Sequence, residues 1–209
     1  MTVDGRVARG DRTRAAVLDR AIVLATADGL DGLSLSQLAT DLGVSKSGLF
    51  AHWRSKEELQ LATIERAREQ WLVHVISPAL RAPRGIRRLW ALHDQRMRFY
   101  EEDVLPGGCF FANAEFEFNA RPGAVRDRLA EAFEEWMGLI ERLAREAVTA
   151  GELRDDTDTH QLAYELESLG LTAVMQARLL SPDTAYRYAR QAVRDRLRGL
   201  RPTDAGVPI

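Results

Sequence analysis

Apolar residues recur every three to four positions along most of this 209-residue chain, which is the spacing of amphipathic helices. Early in the chain, for example, Leu18, Ala21, Ile22 and Ala25 share one helical face. Alternating Val, Ile and Thr runs and Asn-Gly turns, which would predict strands and hairpins, are nearly absent. The pattern predicts an all-α fold of about nine helices, in which a small N-terminal module of about three helices precedes a larger helical body.

The strongest local signals lie in residues 34–58. A capping box, a glycine stop, a second N-cap and a second capping box follow one another there: Ser34 with Gln37, Gly43, Ser45, and Ser55 with Glu58. These signals predict two short helices joined by a tight turn, followed at once by the start of a third helix. That arrangement is typical of a helix-turn-helix, which presents one helix to the DNA major groove.

The short segment that begins at Ser45 carries groups that suit DNA. Lys46 offers a charge to phosphate or to a guanine edge, Ser45 and Ser47 offer hydroxyls, and His52 can donate to phosphate. Lys56 lies in the first turn of the next helix, where a cation opposes the helix dipole, so we expect a phosphate partner for it. The alternative is that these are ordinary surface residues on a helical hairpin.

The run GVSKSGLFAHWRSKEEL, residues 43–59, resembles the helix-turn-helix of the TetR (tetracycline repressor-like) transcriptional regulators. The resemblance covers about residues 12–62 and includes the Ser-Lys start, the Leu-aromatic step and the Ser-Lys-Glu cap. It implies an all-helical homodimer whose N-terminal domain binds a palindromic operator. It also implies that the larger C-terminal domain holds a small ligand that releases the DNA.

Carried over by position, the resemblance implies a set of DNA contacts: Gln37, Thr40, Ser45, Lys46, Ser47, Phe50, His52 and Lys56. The family usually has Tyr where Phe50 stands, so a hydroxyl contact to phosphate is missing here. Ala51 replaces a larger residue, often aromatic, and Trp53 replaces the more usual Phe. The change at position 53 is expected to affect only the packing beneath the helix.

Three segments are predicted from these patterns. Residues 1–55 form the DNA-binding domain, residues 56–201 form the ligand-binding and dimerisation domain, and residues 202–209 form a flexible tail. The whole chain has a formal net charge of −2, so any attraction to DNA must be local. Residues 1–14 hold four arginines and two aspartates, which leaves +2 on an arm expected to be flexible and placed to touch phosphate.

Aromatic side chains are concentrated in the middle helices, where we expect the small-molecule effector to bind. The predicted ligand residues are Trp71, Trp90, His93, Met97, Tyr100, Phe111, Glu115, Phe118 and Trp136. A plain core is the alternative, because an aromatic stripe lines a core more often than a cavity. A histidine on an apolar face is likewise more often a hydrogen-bonded core residue than a ligand contact.

The segment GGCFFANAEFEFN, residues 107–119, mixes Asn113, Glu115 and Glu117 into an otherwise apolar helix. Buried carboxylates need a partner, which either a nearby arginine (Arg96, Arg98 or Arg121) or a ligand could supply. Glu115 and Glu117 point about 200° apart around a helix, so at most one of them is expected to face a pocket.

The last two helices are predicted to form the homodimer interface, because their small residues allow helices to approach closely. The predicted interface residues are Leu162, Leu166, Leu169, Ala173, Ala177, Ala189, Val193 and Leu197. A role in the core of one subunit is the alternative. A symmetric dimer would place its two reading helices about 34–36 Å apart, which is one turn of DNA.

Other classes of protein are disfavoured by the sequence. The motifs of nucleotide-binding, hydrolytic and metal-dependent enzymes are absent, so no catalytic residue, cofactor or metal is predicted. One cysteine and the lack of a long apolar run favour a cytoplasmic protein without a membrane partner. The sequence therefore predicts a homodimeric DNA-binding regulator, a repressor released by an effector; a small helical enzyme or a structural adaptor is the alternative.

Overall fold

The computed structural model describes the backbone of residues 5–202 and the side chains of residues 13–202. Its helices are α1 (Gly5–Asp28), α2 (Leu35–Leu42), α3 (Lys46–His52), α4 (Lys56–Trp71), α5 (Ser77–Leu80), α6 (Ile86–Glu101), α7 (Phe110–Phe118), α8 (Ala124–Thr149), α9 (Thr159–Leu179) and α10 (Pro182–Gly199). The all-α prediction is confirmed, since the regular structure of the described residues is entirely helical. None of the described helices combines the length and the apolar composition needed to span a bilayer.

The first helix is longer than the sequence pattern predicted. It begins at Gly5, whereas a flexible arm was expected as far as residue 14. Arginine and alanine are good helix formers and no proline interrupts the segment, so the helix extends towards the N-terminus. The side chains of Arg6, Arg9 and Arg12 lie outside the described residues, as do residues 203–209 of the predicted tail.

The fourth helix does not run unbroken to Pro78. It is regular as far as Trp71, continues through a π-helical turn at Leu72–Ile76, and then enters α5 at Ser77. Pro78 lies in the first turn of α5 and has no N–H to donate, so the regular ladder of hydrogen bonds cannot pass through it. The wider π turn, in which the N–H of Ser77 bonds the carbonyl of Leu72, takes up this interruption.

The chain divides into two compact units. The first unit comprises Met1–Gln70 and Leu105–Glu131, and the second comprises Trp71–Val104 and Ala132–Ile209. Most of α4 belongs to the first unit, because Arg66 and Gln70 both hydrogen-bond Asp19 on α1. The predicted domain boundary at residue 55 stays a prediction. The boundaries of the two compact units fall at other positions in the chain.

In the second unit α9 and α10 pack against each other and against α6. Seven of the eight predicted interface residues lie in this core, and Leu169 is half-buried: Leu162, Leu166, Ala173, Ala177, Ala189, Val193 and Leu197 are the buried seven. The prediction that these seven form the surface between subunits is wrong, because each is covered by its own chain. The exposed apolar residues of the two helices are others: Tyr164, Met175, Leu179 and Tyr188.

Candidate nucleic-acid interface and sensor core

The helix-turn-helix is fixed by the local contacts that its sequence predicts. The Ser34 hydroxyl accepts the N–H of Gln37 at 3.0 Å and caps α2. Gly43 ends α2 with φ 63°, a left-handed conformation that glycine adopts without strain. Ser45 then caps α3 by accepting the N–H of Gly48 at 3.1 Å. The position of α3 is therefore set at its start by side-chain and turn chemistry within a few residues.

The end of α3 is fixed as well, by the start of α4 and by the core beneath it. Ser55 accepts the N–H of Glu58 at 3.1 Å, and the Glu58 carboxylate accepts the N–H of Arg54 at 2.6 Å. Leu49 and Trp53 are each only 2% exposed. These two buried side chains anchor one face of α3, so its other face is held rigidly towards solvent.

All the predicted DNA contacts lie on exposed positions: Gln37, Thr40, Ser45, Lys46, Ser47, Phe50, His52 and Lys56. Phe50 is 49% exposed although its neighbour Leu49 is buried, so the large apolar ring faces solvent. Such a ring costs free energy in water unless a partner covers it, and the methyl group of thymine is one apolar surface in the major groove.

Lys56 has a structural partner that the sequence did not predict. Its Nζ lies 2.7 Å from one Asp31 oxygen, and Arg121 lies 3.0 Å from the other. The hydrogen bond from Lys56 is the main cause that lowers the pKa of Asp31, and Arg121 lowers it further. The unfavourable position of Lys56 in the helix dipole is therefore already offset by Asp31, without a phosphate.

The predicted ligand residues are divided between the two units. Phe111, Glu115 and Phe118 belong to the first unit, and the other six belong to the second: Trp71, Trp90, His93, Met97, Tyr100 and Trp136. In the second unit the ring of Trp71 lies 5.4 Å from Phe99, 6.1 Å from Tyr100 and 5.5 Å from Trp136 between centroids. We call these four residues the aromatic wall. Trp90 lies apart from it, under the guanidinium of Arg194 at 4.4 Å.

A buried ion pair that the sequence did not reveal lies against the aromatic wall. Arg96 on α6 donates two hydrogen bonds to Glu167 on α9, at 2.6 and 3.0 Å, and a third to the Tyr100 hydroxyl at 2.8 Å. The indole N–H of Trp136 donates to Glu167 at 2.6 Å. The only sequence signal was a charged residue on each apolar helix face, and 71 positions separate the two.

His93 is buried beside this pair and is uncharged at neutral pH. Burial is the main cause that lowers its pKa to about 3, and the charges of Arg96 and Arg190 lower it further. A hydrogen bond with the backbone of Ala189 acts in the opposite direction. Within the described residues its Nε2 atom has no hydrogen-bond partner. His93 is therefore a core histidine with one ring nitrogen hydrogen-bonded and the other unsatisfied.

The carboxylate of Glu117 is satisfied by backbone amides and not by an arginine. Its two oxygens accept the backbone N–H groups of Leu30 and Asp31, at 2.7 and 3.0 Å. Of the three arginines considered as partners, Arg96 bonds Glu167, Arg98 bonds Asp94 and Arg121 bonds Asp31. The partners of this carboxylate are backbone amides, whereas the sequence predicted a side chain or a ligand.

Comparison with known proteins agrees with this arrangement. A family model described as "Bacterial regulatory proteins, tetR family" matches residues 17–63, and one described as "Tetracyclin repressor-like, C-terminal domain" matches residues 85–193, more than half of the chain. The HTH-type transcriptional regulator SrpR of Pseudomonas putida is 25% identical over 160 residues, which are 72% of this chain and 68% of that protein. The transcriptional regulator AcuR of Cereibacter sphaeroides is 27% identical over 174 residues, which are 79% of this chain and 76% of that protein.

The solved structures agree as well. The crystal structure of a TetR transcriptional regulator from Chloroflexus aurantiacus superposes with a TM-score of 0.84 and 26% identity, covering 91% of this chain and 96% of that one. Both family models and all three proteins are described as regulators rather than enzymes. The chain therefore belongs to the TetR family and is a transcriptional regulator, not an enzyme.

Proposed function

We propose that this regulator is a homodimer that reads a palindromic DNA operator with α3 and that a small-molecule effector releases it from the DNA. The observation that carries the proposal is the two-sided character of α3. Leu49 anchors its inner face, whereas Lys46, Ser47 and Phe50 project from the outer face into solvent. A rigid exposed helix with hydroxyl, ammonium and aromatic groups suits the edges of bases and the phosphates beside them.

The distribution of lysine supports this assignment. The chain has 29 lysine and arginine residues, yet its only two lysines are Lys46 and Lys56, both within the helix-turn-helix segment. An ammonium group on a flexible stem can follow a phosphate as a point charge, whereas a guanidinium favours fixed bidentate geometry. Exposed lysines at the start of α3 and of α4 are therefore suited to the sugar-phosphate backbone.

Lysine acylation tests the DNA contact directly. A reagent that acylates amines, followed by mass spectrometry, reports Lys46 and Lys56 separately because no other side chain carries an amine. We expect a palindromic fragment from the DNA upstream of the chain's own gene to protect both, and a scrambled fragment of equal length to protect them less. If each lysine reacted as fast with saturating operator as without it, the proposal would be overturned.

A substitution gives an independent measure. Lys46→Ala is expected to weaken operator binding and to lower the salt slope by about one, as loss of one phosphate contact does. The matched control is Arg87→Ala, which removes a positive charge from an exposed position in the second unit. The control is expected to keep the wild-type slope; equal losses in both variants would point to net charge rather than to a contact.

We propose a second copy of the chain as the partner of the exposed apolar stripe on α9. Tyr164, Met175 and Leu179 are 64%, 50% and 75% exposed and share one helical face, since they are 11 and 4 positions apart. Leu180 at the end of the helix is 80% exposed. TetR-family regulators act as dimers, and exposed apolar side chains that share one helical face mark an interaction surface.

The interface is tested by a charge in the stripe. Leu179→Asp is expected to shift the protein from dimer to monomer in sedimentation experiments and to weaken operator binding with it. Val73→Asp is the matched control, because Val73 is 61% exposed and lies outside α9 and α10. A Leu179→Asp protein that sediments as the wild type does would exclude this stripe as the interface.

For the effector we propose the aromatic wall of the second unit as the binding surface. The rings of Tyr100 and Trp136 lie beside the paired charges of Arg96 and Glu167, so the wall offers apolar contact next to a fixed polar group. An effector that binds there is expected to quench the fluorescence of Trp71 and Trp136. It is also expected to lower the affinity for the operator, and the operator should lower the affinity for the effector by the same factor. An effector that binds and leaves operator affinity unchanged would end this part of the proposal.

A further inference from the structure

α7 and the segment after it carry three polar residues that reach the same part of the first unit. Asn113 and Glu117 lie one turn apart on the same face of α7, and Arg121 lies in the segment that follows the helix. All three contact the corner between α1 and α2 or its salt bridge, within the first unit. We call these three residues the α7 clamp.

The clamp satisfies both kinds of backbone group at the end of α1. The amide of Asn113 donates to the carbonyls of Thr26 and Gly107, at 3.0 and 3.2 Å. The carboxylate of Glu117 accepts from the N–H groups of Leu30 and Asp31, which follow the last turn of α1. The C-terminal end of a helix leaves its last carbonyls without partners inside the helix, and the N–H groups of Leu30 and Asp31 lie beyond it, so α7 supplies partners for both from 86 or 87 positions away.

The approach of the two segments is close enough to restrict side chains. A Cβ atom at Gly107 would overlap the backbone of Thr26, and one at Gly29 would lie 2.9 Å from a Glu117 oxygen. Gly29 also has φ 88°, which directs the chain from α1 into the corner. The contact is therefore a fitted one between backbones and not only a set of long side chains.

The corner is joined to α4 as well. The buried Gln60 amide donates to the Leu30 carbonyl at 3.1 Å, and Lys56 bonds the same Asp31 carboxylate as Arg121. The residues Leu30 and Asp31 are thus held on one side by α7 and on the other by α4. The first turn of α4 carries Lys56, which lies only four residues after the end of α3.

We propose that the α7 clamp positions the helix-turn-helix for the operator, acting through Leu30, Asp31 and Lys56 rather than by touching DNA. Asn113 and Glu117 are positioning residues: they hold the corner from which α2 and the start of α4 are placed. This inference rests on the proposed function, since it specifies which residues outside the reading helices determine operator affinity.

The sign of one substitution separates positioning from electrostatics. Glu117→Gln removes a negative charge from the DNA-binding unit, and electrostatics alone would raise the affinity for DNA. The glutamine keeps the size of the side chain but leaves one of the two amides without an acceptor, so the clamp predicts operator binding weaker by about tenfold. Glu57→Gln, which removes the same charge from an exposed position on α4, is expected to bind as tightly as the wild type or more tightly.

Asn113→Ala gives a second test without any change of charge. It removes the two hydrogen bonds to Thr26 and Gly107, and we expect operator binding weaker by about fivefold. Hydrogen exchange supplies the readout that general destabilisation would not give. In Glu117→Gln the amides of Leu30 and Asp31 are expected to exchange about tenfold faster, while those within α2 and α4 keep their protection.

The outcomes are distinct. Wild-type protein that does not discriminate its operator from scrambled DNA would overturn the proposed function itself. Wild-type protein that binds, with Glu117→Gln and Asn113→Ala binding equally well, would overturn the clamp alone. Loss of protection throughout α1 to α4 would also overturn the clamp, because the residues would then support the stability of the unit and not the position of its corner.

Discussion

Arg96 and Glu167 face each other in the core of the second unit and are joined by two hydrogen bonds of 2.6 and 3.0 Å. Both are buried, at 4% and 8% exposure. The guanidinium also lies 5.7 Å from the ring centroids of both Tyr100 and Trp136. The planar, permanently charged guanidinium therefore has a π face on each of two sides and a carboxylate opposite. The pair connects α6 to α9 at the aromatic wall.

Arg96 and Glu167 are expected to be energetically coupled in their contribution to stability. Glu167→Leu leaves a buried guanidinium without its counter-charge and should lower the free energy of unfolding by about 3–5 kcal/mol. The Arg96→Met/Glu167→Leu double variant should lose less than the sum of the two single losses, with about 1–3 kcal/mol of coupling. Urea denaturation at one fixed protein concentration measures this, and simple additivity would contradict the pairing.

Gly170 is expected to tolerate no side chain, because of the same guanidinium. A Cβ atom at this position of α9 would collide with Arg96, so Gly170→Ala should lower the free energy of unfolding by about 1–3 kcal/mol despite the better helix propensity of alanine. Gly138 on α8 is the matched control, since a Cβ there meets nothing within 4 Å. Gly138→Ala should raise the free energy of unfolding by about 0.5–1 kcal/mol. Thermal denaturation of both variants decides the matter, and stabilisation by both would refute the close approach.

The buried imidazole of His93 predicts a loss of stability in acid. Its pKa is about 3 in the folded chain against 6.5 for an exposed histidine. Below pH 6.5 the unfolded state therefore binds a proton that the folded state refuses, until the pH approaches 3. The stability associated with the neutral ring is complete above pH 6.5 and is lost as the pH falls through this window.

A variant without the imidazole isolates this contribution. His93→Leu removes the titration and also the hydrogen bond to the backbone of Ala189, a cost that does not change with pH. Between about pH 6 and pH 4, the wild type should lose about 2–3 kcal/mol more stability than the variant does. Urea denaturation across this range gives the difference, in which the carboxylates common to both proteins cancel. Equal losses of stability in the two proteins would mean that His93 binds its proton as readily in the folded state as in the unfolded state.

Local signals predicted the reading helices because their causes are local. Ser34, Gly43 and Ser45 act on backbone groups within about four residues, so they set the start and end of α2 and the start of α3. The Cys109 start of α7 follows the same rule: its sulfur accepts the N–H of Ala112 at 3.5 Å. For these elements the sequence alone was sufficient.

Partners across the chain could not be predicted in the same way. Helical spacing shows which face of α9 is apolar, but it does not show whether that face packs on α10 of the same chain or on a second subunit. Leu162 and Leu166 were therefore placed in the interface although they lie in the core. The partners of Glu117 and Glu167 are 87 and 71 positions away, a separation over which residue type and periodicity carry no information.

Leu49 and Phe50 are adjacent on α3, and we expect the first to contribute to stability and the second to operator binding. Leu49 is 2% exposed, so Leu49→Ala should lower the free energy of unfolding by about 2–5 kcal/mol through lost burial and the cavity it leaves. Phe50 is 49% exposed, so Phe50→Ala should change that free energy by no more than about 0.5 kcal/mol. If Phe50 touches the operator, Phe50→Ala should nevertheless weaken operator binding by about tenfold, as loss of an apolar contact to a base does. Denaturation and operator titration of the same two proteins measure both effects. A Phe50→Ala protein that unfolds readily would mean that the ring serves the core.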